Sequence, residues 1–259
     1  MATFSDMPGA EAAVEQILSD LGPLVQPSKV PKEAIRYYVG RVPDIVLDFW
    51  SIAGVGDLRG GMLRLCLPFE LGALMAGLFR GDPDFGFPEG IVDPNPPLID
   101  PFGRPSSGMR HTDVHALAHT AFGDLLLWSE RHGLMHVSVV MGKVRAPFLF
   151  NPDATPNADT VGIDFFLKAP PEFLDMDDRE MQPMYDRAVE KFGLMKRMFI
   201  YAPGPAATGD PNPTINDLFP HSYPEWLEER IRSKIWTLAD LEGQRLQVRD
   251  IGKGPRIGR

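Results

Sequence analysis

Short apolar runs follow one another between residues 114 and 150, and their spacing limits the fold more than any other feature. Thr120-Ala-Phe-Gly-Asp124 contains a turn-forming Gly-Asp pair and leads into the apolar run Leu125-Leu-Leu-Trp128. A second apolar run ends at Met141, and a third begins at Val144. Apolar runs separated by turn residues are typical of strands with short connections. We therefore predict a β-meander over these residues.

Four helices are predicted before the meander, over residues 10–21, from Pro31, from Pro43 and over residues 68–79. The third has an apolar stripe that includes Phe49 and Trp50, so both are expected in the core. Residues 62–67 suit a strand. Residues 82–108 are so rich in proline and glycine that no regular ladder is expected. Loops of that length are usually functional or disordered.

A second proline-containing linker, at residues 151–159, sets the predicted domain boundary. Beyond it the patterns predict helices over 160–167 and 178–192, a strand over 198–201 and a loop over 202–220. A capping box at Ser222 opens another helix, Thr237 caps a short last helix, and residues 246–251 form an edge strand. The predicted fold is α+β. An antiparallel or mixed sheet with packed helices occupies residues 1–150, and a smaller, mostly helical α+β domain occupies residues 151–259.

The net charge of −9 over 259 residues is unevenly distributed. Residues 1–103 carry a net charge of −7, whereas residues 186–259 carry +2. The acidic N-terminal part argues against direct nucleic-acid binding, because nucleic-acid binding needs a basic face. It suits a partner with a basic surface, although charge that serves solubility alone is equally consistent with it.

Cysteine usage and hydropathy indicate a cytoplasmic protein. The single cysteine, Cys66, cannot form an internal disulfide and is expected to be a buried apolar residue. The acidic first residues do not resemble a signal peptide. Arg64, Pro68 and Glu70 interrupt the longest apolar run, so no membrane span is expected.

Five of the six histidines lie between His111 and His136, which raises the possibility of a metal-dependent hydrolase. His111, His115 and His119 are spaced by four residues and would share one face of a helix. Imidazoles with a carboxylate from Asp113 or Asp124 form a ligand set that zinc or non-haem iron uses. On a strand, however, each four-residue step covers about 13 Å, too far for shared coordination.

Other motifs point to structure rather than to chemistry. The sequence contains no G-x-S-x-G, GxxxxGK[ST] or CxxC pattern. Gly54-Val-Gly-Asp-Leu-Arg-Gly60 follows a helix rather than a strand, so it is interpreted as a helix stop. In the acidic stretch at residues 175–180, Asp177 or Asp178 is expected to cap the next helix. We expect no catalytic residue, no cofactor and no bound metal.

Three of these segments together resemble the GAD-like domain. They are Val42-Pro-Asp-Ile-Val-Leu-Asp-Phe-Trp50, the glycine-bounded turn from Gly54 to Gly61, and Thr120 to Trp128. The resemblance covers roughly residues 28–145. In the family a smaller domain comes next, whose counterpart here would be residues 185–241, with Phe192-Gly-x-Met195 and Phe199-Ile-Tyr201 retained. The resemblance implies an immunity protein of bacterial type VI secretion, which neutralises a nuclease toxin, most simply a DNase.

An immunity protein acts through its interface, so the acidic residues become the candidate partner-binding residues. Two groups are predicted to face a cognate nuclease toxin, one in the long loop and one before the helix at 178–192: Asp82, Asp84, Glu89 and Asp93, and Asp175, Asp177 and Asp178. A solvated loop and a helix cap are the simpler alternatives for these acids. For the whole chain, the alternatives are the metal-dependent hydrolase and an interaction module without a toxin partner.

Overall fold

A computed structural model describes residues 9–93, 109–149, 158–159, 174–204, 210, 212–242 and 245–252. Within these ranges the helices are α1 Ala10–Leu21, α2 Lys32–Tyr38, α3 Asp44–Ile52, α4 Pro68–Phe79, α5 Tyr185–Phe192 and α6 Tyr223–Ser233. The strands are β1 Val25–Ser28, β2 Val55–Leu58, β3 Leu63–Leu65, β4 Val114–Thr120, β5 Leu125–Ser129, β6 Gly133–Ser138, β7 Lys143–Arg145, β8 Phe199–Pro203, β9 Leu218–Ser222, β10 Thr237–Glu242 and β11 Arg245–Asp250.

Nine of these strands form one mixed sheet in the order β1-β2-β3-β4-β5-β6-β7-β10-β11. All neighbours are antiparallel except β7 and β10, which run parallel. The predicted meander is confirmed as β4 to β7, and the predicted α+β class with a mixed sheet is confirmed. Strands β8 and β9 pair separately.

Local sequence signals explain the N-terminal helices. The apolar positions Val14, Ile17 and Leu21 of α1 are buried, as the helical period requires. Helix α4 starts at Pro68, and the Glu70 carboxylate accepts a hydrogen bond from the backbone N–H of Leu67 at 2.7 Å, closing the first turn. The bounds of both helices match the prediction.

The helices cover the two faces of the sheet. One core joins α1, α2 and α3 to β2, β3 and part of β4, and it includes the buried Phe49 and Trp50. Another joins α4 and α6 to β4–β7 and includes the buried Cys66. In β4, Val114 and Ala116 face the second core, whereas Leu117 and Ala118 face the first. None of the described helices has the length and apolar character that crossing a membrane requires.

Two glycines permit close approaches that any side chain would block. Gly54 has a φ of +86°, and a Cβ there would lie 2.4 Å from the Ser28 carbonyl oxygen of β1. Gly123, in the turn between β4 and β5, has a φ of +95°, and a Cβ would lie 2.8 Å from the Trp226 ring of α6. These glycines let β1 and α6 pack directly against neighbouring backbone.

The sheet and its core extend across position 150. β10 and β11 complete the sheet, and buried residues of α6 share a core with α4. In addition, the Arg64 guanidinium of β3 donates hydrogen bonds to the carbonyl oxygens of Lys196 and Phe199, at 3.2 and 2.5 Å. The division at residue 150 stays a prediction, because residues 150–157 lie outside the described ranges.

The helix predicted over residues 178–192 is shorter than expected, since α5 begins at Tyr185. Asp178 instead accepts hydrogen bonds from the backbone N–H groups of Glu180 and Gln182, which holds a turn. Met181 has a φ of +57° and is 69% exposed, although its position in the predicted helix would have placed it among the apolar core residues. Pro183 disfavours helical conformation for the preceding residue. The helix predicted over 160–167 lies outside the described residues.

Three further predictions near the C-terminus differ from the structure. Residues from Thr237 form β10 rather than a short helix, because the chain there pairs with β7. Ser222 is the last residue of β9 and precedes α6, but its side chain makes no capping hydrogen bond. The segment predicted as a loop over 202–220 contains the start of β9. The predicted edge strand is confirmed as β11.

Candidate partner-binding surface

Asp82 and Asp84, two acids of the predicted interface, are bound to the C-terminal strand. The Arg249 guanidinium donates hydrogen bonds of 2.6 and 2.9 Å to the Asp82 carboxylate, and it also pairs with Asp84. The backbone N–H of Gly252 adds a hydrogen bond of 2.9 Å to Asp82. Burial disfavours the ionised form of Asp82, but these hydrogen bonds outweigh it and lower the pKa of its carboxyl.

Asp93 is buried against α2 and the turn after that helix. Arg41 forms two hydrogen bonds to its carboxylate, at 2.8 and 2.7 Å, and the Tyr37 hydroxyl donates a third at 2.7 Å. The guanidinium carbon of Arg41 also lies 4.2 Å from the centre of the Tyr37 ring. Burial, followed by the hydrogen bond to Asp93, raises the pKa of Tyr37 to about 12. Asp93 thus anchors the long loop to the helical layer.

The acids before α5 divide between structural roles and solvent. Asp175, rather than Asp177 or Asp178, caps α5: its carboxylate accepts the backbone N–H groups of Met184 and Tyr185 at 3.2 and 2.9 Å. Asp178 is buried and pairs with Arg187 at 2.5 Å. The prediction that Asp177 or Asp178 caps this helix is therefore wrong, because the chain turns through residues 178–184 before α5 begins.

Glu89 and Asp177 are the members of the predicted set whose side chains are exposed. Asp84 and Asp175 are partly covered, and Asp82, Asp93 and Asp178 are buried. Asp82 and Asp84 are connected to β11, Asp93 to Tyr37 and Arg41, and Asp175 and Asp178 to α5. Their role in binding a partner stays a prediction.

His115 belongs to a polar group on the side of the sheet that carries α2. Its Nε2 atom lies 2.7 Å from a carboxylate oxygen of Glu130, which also pairs with Arg110. Its ring meets the Tyr38 ring edge to face, with centroids 5.5 Å apart. Although burial opposes ionisation, the hydrogen bond from His115 and the charge of Arg110 lower the pKa of Glu130. His111 lies outside strand β4 and is only partly covered.

A β-bulge separates His119 from His115. The register between β4 and β5 shifts between Ala116 and Ala118, which inserts one residue and reverses the facing of the later residues of β4. His119 therefore stacks on Tyr223 of α6, on the opposite side of the sheet, at a centroid distance of 4.2 Å. Burial lowers its pKa to about 3. Over the described ranges, no group of three or more His, Cys, Asp or Glu side chains is arranged to hold a metal ion.

A small cavity lies between the β4–β5 turn and the segment before α5. Its volume is about 120 Å³, and Asp124, Ser138 and Asp175 are among its lining residues. Asp124 is 3.8 Å from the Nε2 atom of His136, and burial raises the pKa of its carboxyl. Sites for small-molecule ligands typically measure roughly 300–1,000 Å³. This cavity is therefore too small for a cofactor.

Asp48 of α3, which was not among the residues predicted from the sequence, has an unusual environment. This residue is 6% exposed, and its Oδ1 atom has no hydrogen-bond partner. Asp48 stands between Leu47 and Phe49 in an apolar run, which is the signal that could have identified it. Asp44 lies one turn earlier on the same helix and is exposed.

Comparisons with known proteins agree with the N-terminal resemblance. No curated protein sequence matches the chain. The crystal structure of Atu4351 from Agrobacterium tumefaciens superposes with a TM-score of 0.74 at 21% identity, covering 92% of this chain and 98% of that chain. At this identity the likeness concerns the fold alone. The family model of the GAD-like domain matches residues 12–89, which hold most of α1 and all of α2 to α4, so a GAD-like domain is present in the N-terminal part of this fold.

Proposed function

We propose that the protein is an immunity protein that binds and neutralises a cognate type VI secretion nuclease effector, most simply a DNase. The observation that carries the proposal is the GAD-like domain at residues 12–89. This domain resembles those of immunity proteins, and such proteins act by occupying or distorting the toxin. The function is therefore stoichiometric binding, without catalysis and without a cofactor.

The charge distribution supports a nuclease as the partner. A nuclease that binds DNA needs a cationic surface, because the phosphate backbone supplies much of the affinity. Residues 1–103 carry a net charge of −7. Opposite potentials accelerate encounter and suppress wrong partners. Among the predicted interface acids, the exposed Glu89 and Asp177 suit this role at the rim of the interface.

The metal-dependent hydrolase is not favoured by any specific observation. Its three candidate ligands would have to converge, but the bulge in β4 turns His115 and His119 to opposite faces of the sheet. Each ring has its own local contact, Glu130 for His115 and Tyr223 for His119. These contacts give the histidines packing and hydrogen-bonding roles.

The test needs a cognate nuclease effector, which is first identified by a pull-down with this protein from its native host. The purified effector is assayed for plasmid cleavage with increasing amounts of this protein, and complex formation is measured by calorimetry. We expect cleavage to stop at a fixed molar ratio that equals the binding stoichiometry. Inhibition at strongly substoichiometric amounts would indicate a catalytic function, and full cleavage with no heat of binding would contradict the proposal.

A further inference from the structure

Three carboxylates meet around the first turn of α3. Asp44 is the first residue of the helix, and Asp48 lies one turn later. Asp159, from the far side of position 150, accepts a hydrogen bond from the backbone N–H of Ile45 at 3.2 Å. The charges of Asp44 and Asp159 both act on the Asp48 carboxyl, so the three groups share one site.

Within this site Asp48 lacks the partner that a buried carboxylate requires. It is 6% exposed, and its Oδ1 atom is covered and accepts no hydrogen bond. Buried polar groups in native proteins are nearly always hydrogen-bonded, and buried charges are nearly always paired. Burial, and then the charges of Asp44 and Asp159, raise the pKa of Asp48 to about 6. The ionised Asp48 therefore needs a positive charge beside it.

The cation that fits is organic rather than a metal. Over the described ranges no group of three or more potential ligand residues is arranged for a metal ion. A guanidinium presents five N–H donors in a planar fork and can bind more than one carboxylate. Arginine is also enriched at protein interfaces and at their energetic centres. The exposed Asp44 gives such a side chain its first contact, and Asp48 lies further in.

We infer that Asp44, Asp48 and Asp159 form a slot for an arginine side chain presented by the basic partner of this protein. The inference rests on the proposed function, because the arginine belongs to the nuclease effector. Asp44 and Asp48 lie inside the matched GAD-like segment, whereas Asp159 comes from beyond it. The slot therefore gives that domain a defined point of recognition.

The first experiment needs no effector. N-acetyl-arginine amide is titrated into the full chain well above pH 6, while the side-chain carboxyl carbons of Asp44 and Asp48 are followed by NMR. N-acetyl-citrulline amide, which has the same shape without the charge, is the matched ligand control. We expect a saturable shift of both carboxyl signals with the arginine probe and none with the citrulline probe.

Two variants complete this experiment. Asp48→Asn should abolish the saturable shift at Asp44. Glu190→Gln, which changes an exposed residue of α5, should leave this shift intact. Equal responses to the two probes, or a non-saturable response to arginine, would overturn the inference. An unchanged Asp44 titration in Asp48→Asn would overturn it as well.

The second experiment measures binding of the effector to the same variants. Truncating one partner of a buried, hydrogen-bonded charge pair weakens binding strongly, so Asp48→Asn should raise Kd at least roughly tenfold. Wild-type affinity in Asp48→Asn would reject the slot while the immunity function stands. A saturable arginine titration with no effector binding by the wild-type chain would reject the immunity function and retain the arginine slot.

Discussion

Arg249 of β11 holds the carboxylate of Asp82, 167 positions earlier in the chain, through two hydrogen bonds of 2.6 and 2.9 Å. Asp82 lies just after α4, and its side chain is fully buried. The pair connects β11, the edge strand formed by the C-terminal residues, to the segment that follows α4. This arrangement makes the last strand part of the support for the N-terminal half.

Replacing Arg249 with alanine should destabilise the fold, because it leaves the buried Asp82 carboxylate without its cation. Removing one partner of a fully buried pair costs about 3–5 kcal/mol. Since Arg249 is 31% exposed, we expect a smaller loss, roughly 2–3 kcal/mol. Urea denaturation measures it, with Arg232→Ala as the control because Arg232 pairs with Glu228 at the surface. Equal midpoints for the two variants would contradict the assigned role.

The same pair gives a pH dependence with a defined sign. The pKa of Asp82 is lowered in the folded state, so its stabilisation is complete above the ordinary carboxyl value of 3.8. It is lost as the pH falls from 3.8 through the folded pKa. The stability difference between wild type and Arg249→Ala should therefore narrow below pH 3.8. A difference that stays constant there would mean that packing, not ionisation, explains the first result.

Truncation of Trp50 should lower stability strongly. Trp50 lies in the core between α3 and α2, and its ring meets that of Tyr38 edge to face at 5.8 Å. Removing a buried tryptophan side chain typically costs about 3–5 kcal/mol. We expect this loss for Trp50→Ala in chemical denaturation and less than about 0.5 kcal/mol for Ile52→Ala, which changes an exposed residue of the same helix. A midpoint unchanged in Trp50→Ala would rule out this placement.

Asp48→Asn should stabilise the protein above pH 6. The folded pKa of about 6 exceeds the ordinary value of 3.8, so ionisation of Asp48 opposes folding as the pH rises between these values. The gain should be full at pH 8 and vanish below pH 3.8. Each 1 kcal/mol raises Tm by about 2–4 °C in a chain of this size. A variant that is less stable than wild type at pH 8 would show that Asp48 is satisfied within the fold.

Charge reversal at the two exposed acids of the predicted interface should slow association with the proposed effector. Glu89→Lys and Asp177→Lys remove attraction at the rim without breaking an internal pair, so they should lower the association rate at low salt. The difference from wild type should shrink at high salt. Stopped-flow kinetics measures both effects. Glu190→Lys applies the same charge change on α5, and equal rates for all three variants would place the interface elsewhere.

The last prediction concerns the metal content of the purified protein. Because His115 and His119 face opposite sides of the sheet, the purified protein should contain no stoichiometric zinc or iron. Elemental analysis of protein purified without chelators or metal-affinity steps measures this directly. His115→Ala should have the same metal content as wild type. About one equivalent of metal in the wild type, lost in His115→Ala, would restore the hydrolase hypothesis.

The helices of the N-terminal half were predictable because their signals are local. The bounds of α4 follow from Pro68, the carboxylate of Glu70 and the apolar period up to Phe79, all within one short window. The predictions that failed nearer the C-terminus concern structure that depends on residues far away in the sequence. The Thr237 segment became a strand because β7, almost a hundred positions earlier, provides a pairing edge. Secondary structure that depends on a distant strand leaves little trace in its own residues.

The properties of the candidate partner-binding residues also divide into those that follow from the sequence and those that depend on the tertiary structure. The sequence by itself determined the acidic character of the N-terminal part, the resemblance of its motifs to the GAD-like domain and the apolar stripe that buries Trp50. Only the tertiary structure decided which of the acidic side chains have a hydrogen-bond or ion-pair partner within the protein. Arg249 reaches Asp82 and Arg41 reaches Asp93 across more than 50 positions of sequence, while the Oδ1 atom of Asp48, adjacent to apolar neighbours, has no hydrogen-bond partner. Residue types fix the charge of each group, but its partner depends on which distant segments the fold brings within hydrogen-bonding distance.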